Sequence, residues 1–335
     1  MSGTSVPKGY KSKLDMYMTQ TAIGLLKRDF QDRLCEALNL KRVSAPLIVD
    51  PSTGLNDDLN GTERPVSFDI PAAGKTAAVV HSLAKWKRLA LKRYGFSVGE
   101  GIVTDMNAIR RDETPDNLHS VYTDQWDWEK IMPQDSRNLD FLRDTAEKIV
   151  GAICDSAAMI RRVFPEITYE PRREMKFVTS QELEDLYPAL APKQREDRIT
   201  EEYGTVFVAC IGGALRSGMP HDGRAPDYDD WSLNGDILFY NPLLQRSFEV
   251  SSMGIRVDPE TLKKQLGISG QTEREKLMFH KALLSGELPQ TIGGGIGQSR
   301  LSMLLLEKAH IGEVQSSVWD PETERVCSES GIILL

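Results

Sequence analysis

Thr123-Asp124-Gln125-Trp126-Asp127-Trp128-Glu129 is the stretch on which the fold turns. Read as a strand, its alternate residues share a face. Thr123, Gln125, Asp127 and Glu129 then point one way. Trp126 and Trp128 point the other, together with Asp124. The tryptophan face belongs to a core. The opposite face carries an amide and two carboxylates in a row. Two readings stand side by side. The wetted side of an antiparallel sheet gives this pattern without any function. Neighbouring carboxylates that repel each other also suit the binding of an amino group.

Working outward, residues 101–109 and 120–128 read as two strands joined by a polar loop. Helices are predicted over 14–40, with Asn39 as a stop, and over 82–93 and 139–163. A capping-box signature, Thr179-Ser180-Gln181-Glu182, starts another helix near Gln181. Residues 192–203, 259–266, 274–284 and 299–306 also read as helical. Further strands are expected over 77–80, 206–211, 236–240 and 248–252. The run from Val43 to Ile48 is strand-like but holds Pro46, which confines it to an edge or a junction. Several strand pairs lack a crossover helix. The fold class is therefore α+β, a mainly antiparallel sheet flanked by helices, in one catalytic domain over 1–335. Residues 1–13 carry no motif and are expected to be a flexible extension.

The formal net charge of -8 argues against a chain that mainly binds nucleic acid. The basic run Lys85-Trp86-Lys87-Arg88 reads most simply as a solvated helix face. Cys35, Cys154, Cys210 and Cys327 form no CxxC pair, which points to buried free thiols in a reducing compartment. The N-terminal residues lack a signal-peptide core, and no apolar run is long enough for a bilayer. A cytoplasmic location follows. Two nucleotide motifs fail. Gly74-Lys75-Thr76 lacks the earlier P-loop glycine, because Asp69 stands there. Gly293-Gly294-Gly295-Ile296-Gly297 lacks the context of a dinucleotide fingerprint.

Three separated blocks remain: Arg110 to Glu129, Phe248 to Arg256, and Thr291 to Arg300. They resemble the adenylate-forming core of class II aminoacyl-tRNA synthetases, the aspartyl and asparaginyl group in particular. The first block is similar to that group's second motif and the last to its third. The long first helix and Pro46 resemble its first motif, a dimer interface. Further runs resemble the ammonia-dependent asparagine synthetases, or aspartate–ammonia ligases: His81 to Arg88, His119 to Tyr122, Arg224 to Trp231 and Leu233 to Leu238. The likeness covers nearly the whole chain.

That resemblance implies a two-step reaction of L-aspartate, ATP and ammonia through β-aspartyl-AMP. It implies Arg110 on the α-phosphate and Arg300 on the triphosphate. It implies His119 and Ser120 beside the nucleotide, and Gly293, Gly294 and Gly295 admitting adenosine. Asp236 and Glu249 would hold Mg2+. Gln125 and Asp127 would take the amino group of aspartate. Lys87, or Arg256 as a second candidate, would take a carboxylate. Asp229, Ser251 and Ser252 would line the pocket. Asp57, in a turn-forming loop beside Asp58, matches the position of an ammonia base. With Arg110 and Gln125 it completes the expected catalytic set. A homodimer is implied, with neither nucleic acid nor membrane as partner. The short stretch Trp231 to Asn234 reads as a loop. The rival readings are a tRNA synthetase paralogue, a non-catalytic asparagine or AMP sensor, and a glutamine-dependent synthetase. The last would need an N-terminal cysteine, and Ser2 follows Met1 here.

Overall fold

Trp126 and Trp128 do lie in the core, and the sheet is built around them. The computed structural model describes residues 3–57, 59 and 63–335. In chain order the first elements are α1 (Met16–Leu38), β1 (Leu40–Arg42), β2 (Ile48–Val49), β3 (Ser67–Ile70), β4 (Lys75–Val79) and α2 (Ala84–Arg93). Then come β5 (Gly101–Ile109), β6 (Tyr122–Ile131), α3 (Leu139–Val163), β7 (Lys176–Thr179), α4 (Ser180–Leu186) and α5 (Pro192–Tyr203). The chain continues through β8 (Thr205–Ala209), β9 (Asp229–Asn241), β10 (Arg246–Arg256), α6 (Pro259–Ile268) and α7 (Met278–Leu284). It ends with β11 (Thr291–Gly297), α8 (Gln298–Leu305) and α9 (Pro321–Glu329).

The main sheet has eight strands in the order β1-β5-β6-β11-β10-β9-β8-β7, and a small sheet has the order β2-β4-β3. Only the two outer pairs of the main sheet, β1–β5 and β7–β8, are parallel. One face is sealed by α1 and α3. Helix α1 begins at the Asp15 cap, ends at Asn39 in the left-handed region, and buries Ala22, Leu26, Phe30 and Leu34. Phe30 meets Trp126 with ring centroids 4.7 Å apart. Each large side chain on this stripe contributes about 1.5–3 kcal/mol of burial. On the other face, α2 reaches β6, and α4 with α5 covers the β8–β9 end through Leu183, Ile199, Val208 and Leu238. The space between those covers is where the site lies.

Several expectations need correction. The proline-bearing run from Val43 to Leu47 is not strand; short strands lie on either side of it, since Pro46 cannot donate to a ladder. The stretch 231–234 is not a loop but part of β9. The region 274–284 is broken into a 3-10 turn, Thr272–Lys276, and α7. The basic run on α2 is no solvated face, because Lys85, Lys87 and Arg88 are all buried. Residues 3–13 lie against the C-terminal part of the chain and the 116–117 loop. Ser5 exchanges two hydrogen bonds with the Asn117 side chain, at 2.8 and 2.7 Å. Tyr10 donates to Glu313 at 2.8 Å. The four cysteines are free thiols. Among the described residues no helix is long and apolar enough to cross a membrane.

Candidate active site

Pairing across the sheet fixes what faces the site. On β6, β11 and β10, Asp127 lies opposite Gly295, which lies opposite Ser252, and Ser252 pairs with Asp236 on β9. Glu129 lies opposite Gly293, and Gln125 opposite Gly297. The acids and glycines therefore share one face. Glu249 joins them through an irregularity. The β9–β10 register shifts between Glu249 and Ser251, and the extra residue turns Glu249 to the side that Ser252 occupies.

A cavity of about 500 Å³ opens on this face, within the range of small-molecule sites. Its walls include Arg110, His119, Ser120, Gln125, Ser252, Glu249, Gly295 and Arg300. Arg110 follows β5 and forms no ion pair or side-chain hydrogen bond among the described residues; its buried Nε has no partner. Arg111 is exposed. Arg300, in the first turn of α8, lies 3.4 Å from Glu249 and donates to its backbone carbonyl at 3.2 Å. His119 is held through Nδ1 by Asp116 at 2.9 Å. The Ser120 hydroxyl meets that of Ser317 at 2.6 Å.

The loop before β9 adds Arg224 and Tyr228 to the wall. Arg224 pairs with Asp236 and, at 2.8 Å, with Asp222. Burial raises the Asp236 carboxyl against the pull of Arg224. Burial would raise Glu249 too, but Arg300, Lys193 and Arg224 hold it below the usual range. The base of this loop is anchored at Asp227, which takes Lys85 at 3.0 Å, Arg274 at 2.8 Å and His280 at 2.9 Å. Lys85 thus faces away from Lys87, as its place on the helix predicts.

Beyond Gln125 on the same strand face, the charges are closed on one another. Lys87 donates to Asp127, to the Trp128 carbonyl at 2.9 Å and to the Gly294 carbonyl at 3.1 Å. Arg256 holds Glu129 at 2.6 Å and Asp229 at 2.5 Å, and Thr291 donates to Glu129 at 2.7 Å. Burial lowers the Lys87 ammonium while Asp127 and Glu129 oppose it. Burial likewise disfavours the Glu129 carboxylate, but Arg256 and Lys87 outweigh it and the carboxyl is lowered. At Asp229 burial wins and the carboxyl is raised.

A family model for aspartate-ammonia ligase matches residues 17–331. The chain belongs to the aspartate–ammonia ligase family. Among its relatives, the aspartate–ammonia ligase of Clostridium perfringens is 57% identical over 331 residues, covering 98% of each chain. That of Limosilactobacillus reuteri is 56% identical over 333 residues, covering 99% of each. Among solved structures, asparaginyl-tRNA synthetase from Pyrococcus horikoshii, complexed with asparaginyl-adenylate, matches with a TM-score of 0.65 at 15% identity. It covers 90% of this chain and 68% of that one. The Entamoeba histolytica enzyme matches at 0.61 and 15% identity, covering 89% of this chain and 66% of that one. The fold is that of the class II synthetases.

Within this family member, several expected residues sit elsewhere than anticipated. Ser251 alternates with Ser252 and points to the core side, with a buried hydroxyl that has no partner among the described residues. All three ammonium protons of Lys87 are already engaged within the protein. The glycines have different uses. A Cβ at Gly293 would collide with the Glu129–Arg256 pair, and one at Gly294 with β10. One at Gly295 would strike the Gln125 side chain. Only Gly295 of the three lines the cavity. Asp57 is buried, accepts from the Leu59 amide at 3.1 Å, and is not among the residues that line the cavity. Its charge reaches Tyr228, whose hydroxyl is raised first by burial and then by Asp57 and Asp229. Asp58 lies outside the described residues. Sequence reasoning left Glu129, Arg224 and Tyr228 out of the site, although Glu129 continues the alternation of Gln125 and Asp127.

Among the described residues no group of three or more histidine, cysteine or acidic side chains could hold a metal ion. Asp236 and Glu249 are two acids, and a magnesium ion there would have to take its other ligands from phosphate and water. Asp236 Oδ1 is buried with no hydrogen bond among the described residues, which leaves an acceptor for a cation.

Proposed function

We propose that this ligase activates the β-carboxylate of L-aspartate with ATP, giving β-aspartyl-AMP and pyrophosphate. Ammonia then attacks the acyl carbon, AMP leaves, and L-asparagine forms. The observation that carries this reading is the convergence of Arg110, Arg224 and Arg300 on one cavity beside two acids. Negative charge that builds on an α-phosphate is stabilised by fixed guanidinium groups already in place. Arg110, without a competing carboxylate, is suited to that task. Arg300 would hold the rest of the triphosphate, with His119 and Ser120 along the nucleotide. Magnesium at Asp236 and Glu249 would screen the phosphate oxygens.

Aspartate would enter beside Gln125. Its ammonium group would pair with Asp127 and its α-carboxylate with Lys87, so that the zwitterion inserts into an existing ion pair. Arg256, Asp229 and Ser252 frame that end. Asp57 would take a proton from the incoming ammonium. Asp57→Asn should leave pyrophosphate exchange largely intact and slow amide formation; equal loss of both rejects that role. The reading includes a cytoplasmic homodimer, one catalytic unit over the chain, and no nucleic-acid partner. Incubation with aspartate, ATP, magnesium and either ammonium or glutamine tests it. Asparagine and AMP in equal amounts with ammonium are expected. No asparagine, or robust charging of tRNA instead, overturns it.

A further inference from the structure

Arg224 meets the carboxylate that would hold the metal. Its Nη2 contacts Asp236, while Nη1 contacts Asp222 at 2.8 Å and the Gly223 carbonyl at 2.9 Å. Asp236 is 4% exposed, and its second oxygen, Oδ1, is buried with no hydrogen-bond partner in contact geometry among the described residues, though the Ser252 hydroxyl is close enough to lower the carboxyl. The backbone that follows Arg224 is pinned. The Ala225 carbonyl accepts from Trp231 Nε1 at 3.1 Å, the Pro226 carbonyl accepts from Gln265 at 3.0 Å, and Asp227 is gripped by three cationic or imidazole partners. The main chain on the C-terminal side of Arg224 is held in place, so the side chain is the part best able to swing. Asp222, its other partner, is exposed at the rim of the same cavity.

We infer that Arg224 and a divalent metal compete for Asp236, and that nucleotide phosphate takes up the guanidinium when the metal binds. A guanidinium and a dication held by one buried carboxylate repel each other. A phosphate within reach relieves that repulsion, because two of its oxygens offer the planar guanidinium of Arg224 a two-point anionic partner of higher charge. Metal and nucleotide therefore bind together, and the metal alone binds weakly. This inference rests on the assignment of Asp236 and Glu249 as the metal-holding acids. It gives Arg224 a specific role that the adenylation scheme leaves unassigned.

The test is titration of the full chain with Mn2+, followed by electron paramagnetic resonance, with and without ATP. The wild type should bind Mn2+ weakly alone and much more tightly with ATP. Arg224→Met should bind Mn2+ without ATP roughly ten-fold tighter than the wild type, and ATP should add less. Arg224→Lys keeps the charge and should bind Mn2+ without ATP as weakly as the wild type, which separates charge from loosened packing. If Arg224→Met does not fold, Arg224→Gln makes the same comparison. An Mn2+ affinity no tighter in the neutral variants overturns the competition and leaves the metal assignment standing. If ATP does not tighten Mn2+ in the wild type, and Asp236→Asn changes nothing, the metal assignment fails and the inference falls with it.

Discussion

Each side-chain nitrogen of Arg256 and each ammonium proton of Lys87 has a partner within the protein, whereas Arg110 has none among the described residues. The two groups lie on one sheet face, on either side of Gln125. At the buried end, Lys87 and Arg256 pair with Asp127, Glu129 and Asp229, and Gly293 makes room for the closest pair. At the cavity, Arg110, Arg224 and Arg300 bring three guanidinium charges to Glu249 and Asp236. The buried end keeps a shape. The cavity keeps a charge to offer. The difference teaches that the cations closed on acids away from the cavity are framework, and that those suited to phosphate line the cavity, whether unpartnered like Arg110 or held by cavity acids like Arg224 and Arg300.

The largest expected effect breaks the buried end. Glu129→Gln leaves Arg256 short of its main counter-charge in a dry site and should cost about 3–5 kcal/mol of stability, read by urea denaturation, with activity lost as well. Next, Arg110→Ala should lower kcat about 10²–10³-fold, as when one charge-stabilising donor is removed, while stability changes by less than about 0.5 kcal/mol. A stability loss as large as that of Glu129→Gln would erase the distinction between the two ends. A glycine pair sharpens it further. Gly293→Ala should destabilise by about 1–3 kcal/mol through collision with the Glu129–Arg256 pair. Gly295→Ala meets only the end of the Gln125 side chain and should chiefly raise KM for aspartate.

The smallest effect is a pH dependence at the cavity wall. Burial would raise the Asp116 carboxyl, but the His119 imidazole and the Leu118 and His119 amides hold it at about 2. A carboxyl lowered on folding stabilises above its unfolded pKa of about 3.9, and that stabilisation fades as pH falls through the folded value. Against Asp116→Asn, the wild type should be more stable by about 1 kcal/mol at pH 7 after allowance for solvent screening, with the gap closing toward pH 2. Denaturant melts at pH 7, 5 and 3 measure it.

How much was legible follows from the same physics. Strand β5 and helix α3 match the predicted bounds because their apolar periodicity is regular. The Thr179 capping box forms with Glu182 as read. The face assignment of β6 needed only the period of two. What failed were the places where charge points inward. On α2 the inward side carries Lys85, Lys87 and Arg88, so a hydropathy pattern assigns it to solvent. Strand β9 starts seven residues before the predicted Asp236, since Asp229, Asp230 and Asn234 read as loop but are buried. The shift at Val250 that turns Glu249 inward has no sequence signal. Asp320 and Pro321 were a readable helix start for α9 that went unread.

The most direct measurement follows oxygen. Aspartate labelled with 18O in its β-carboxylate is incubated with ATP, magnesium and ammonium, and the products are weighed by mass spectrometry. The account predicts one 18O atom in the phosphate of AMP, carried there when the carboxylate attacks the α-phosphorus, with the other retained in the amide of asparagine. Label in orthophosphate, with ADP as the nucleotide product, would contradict it.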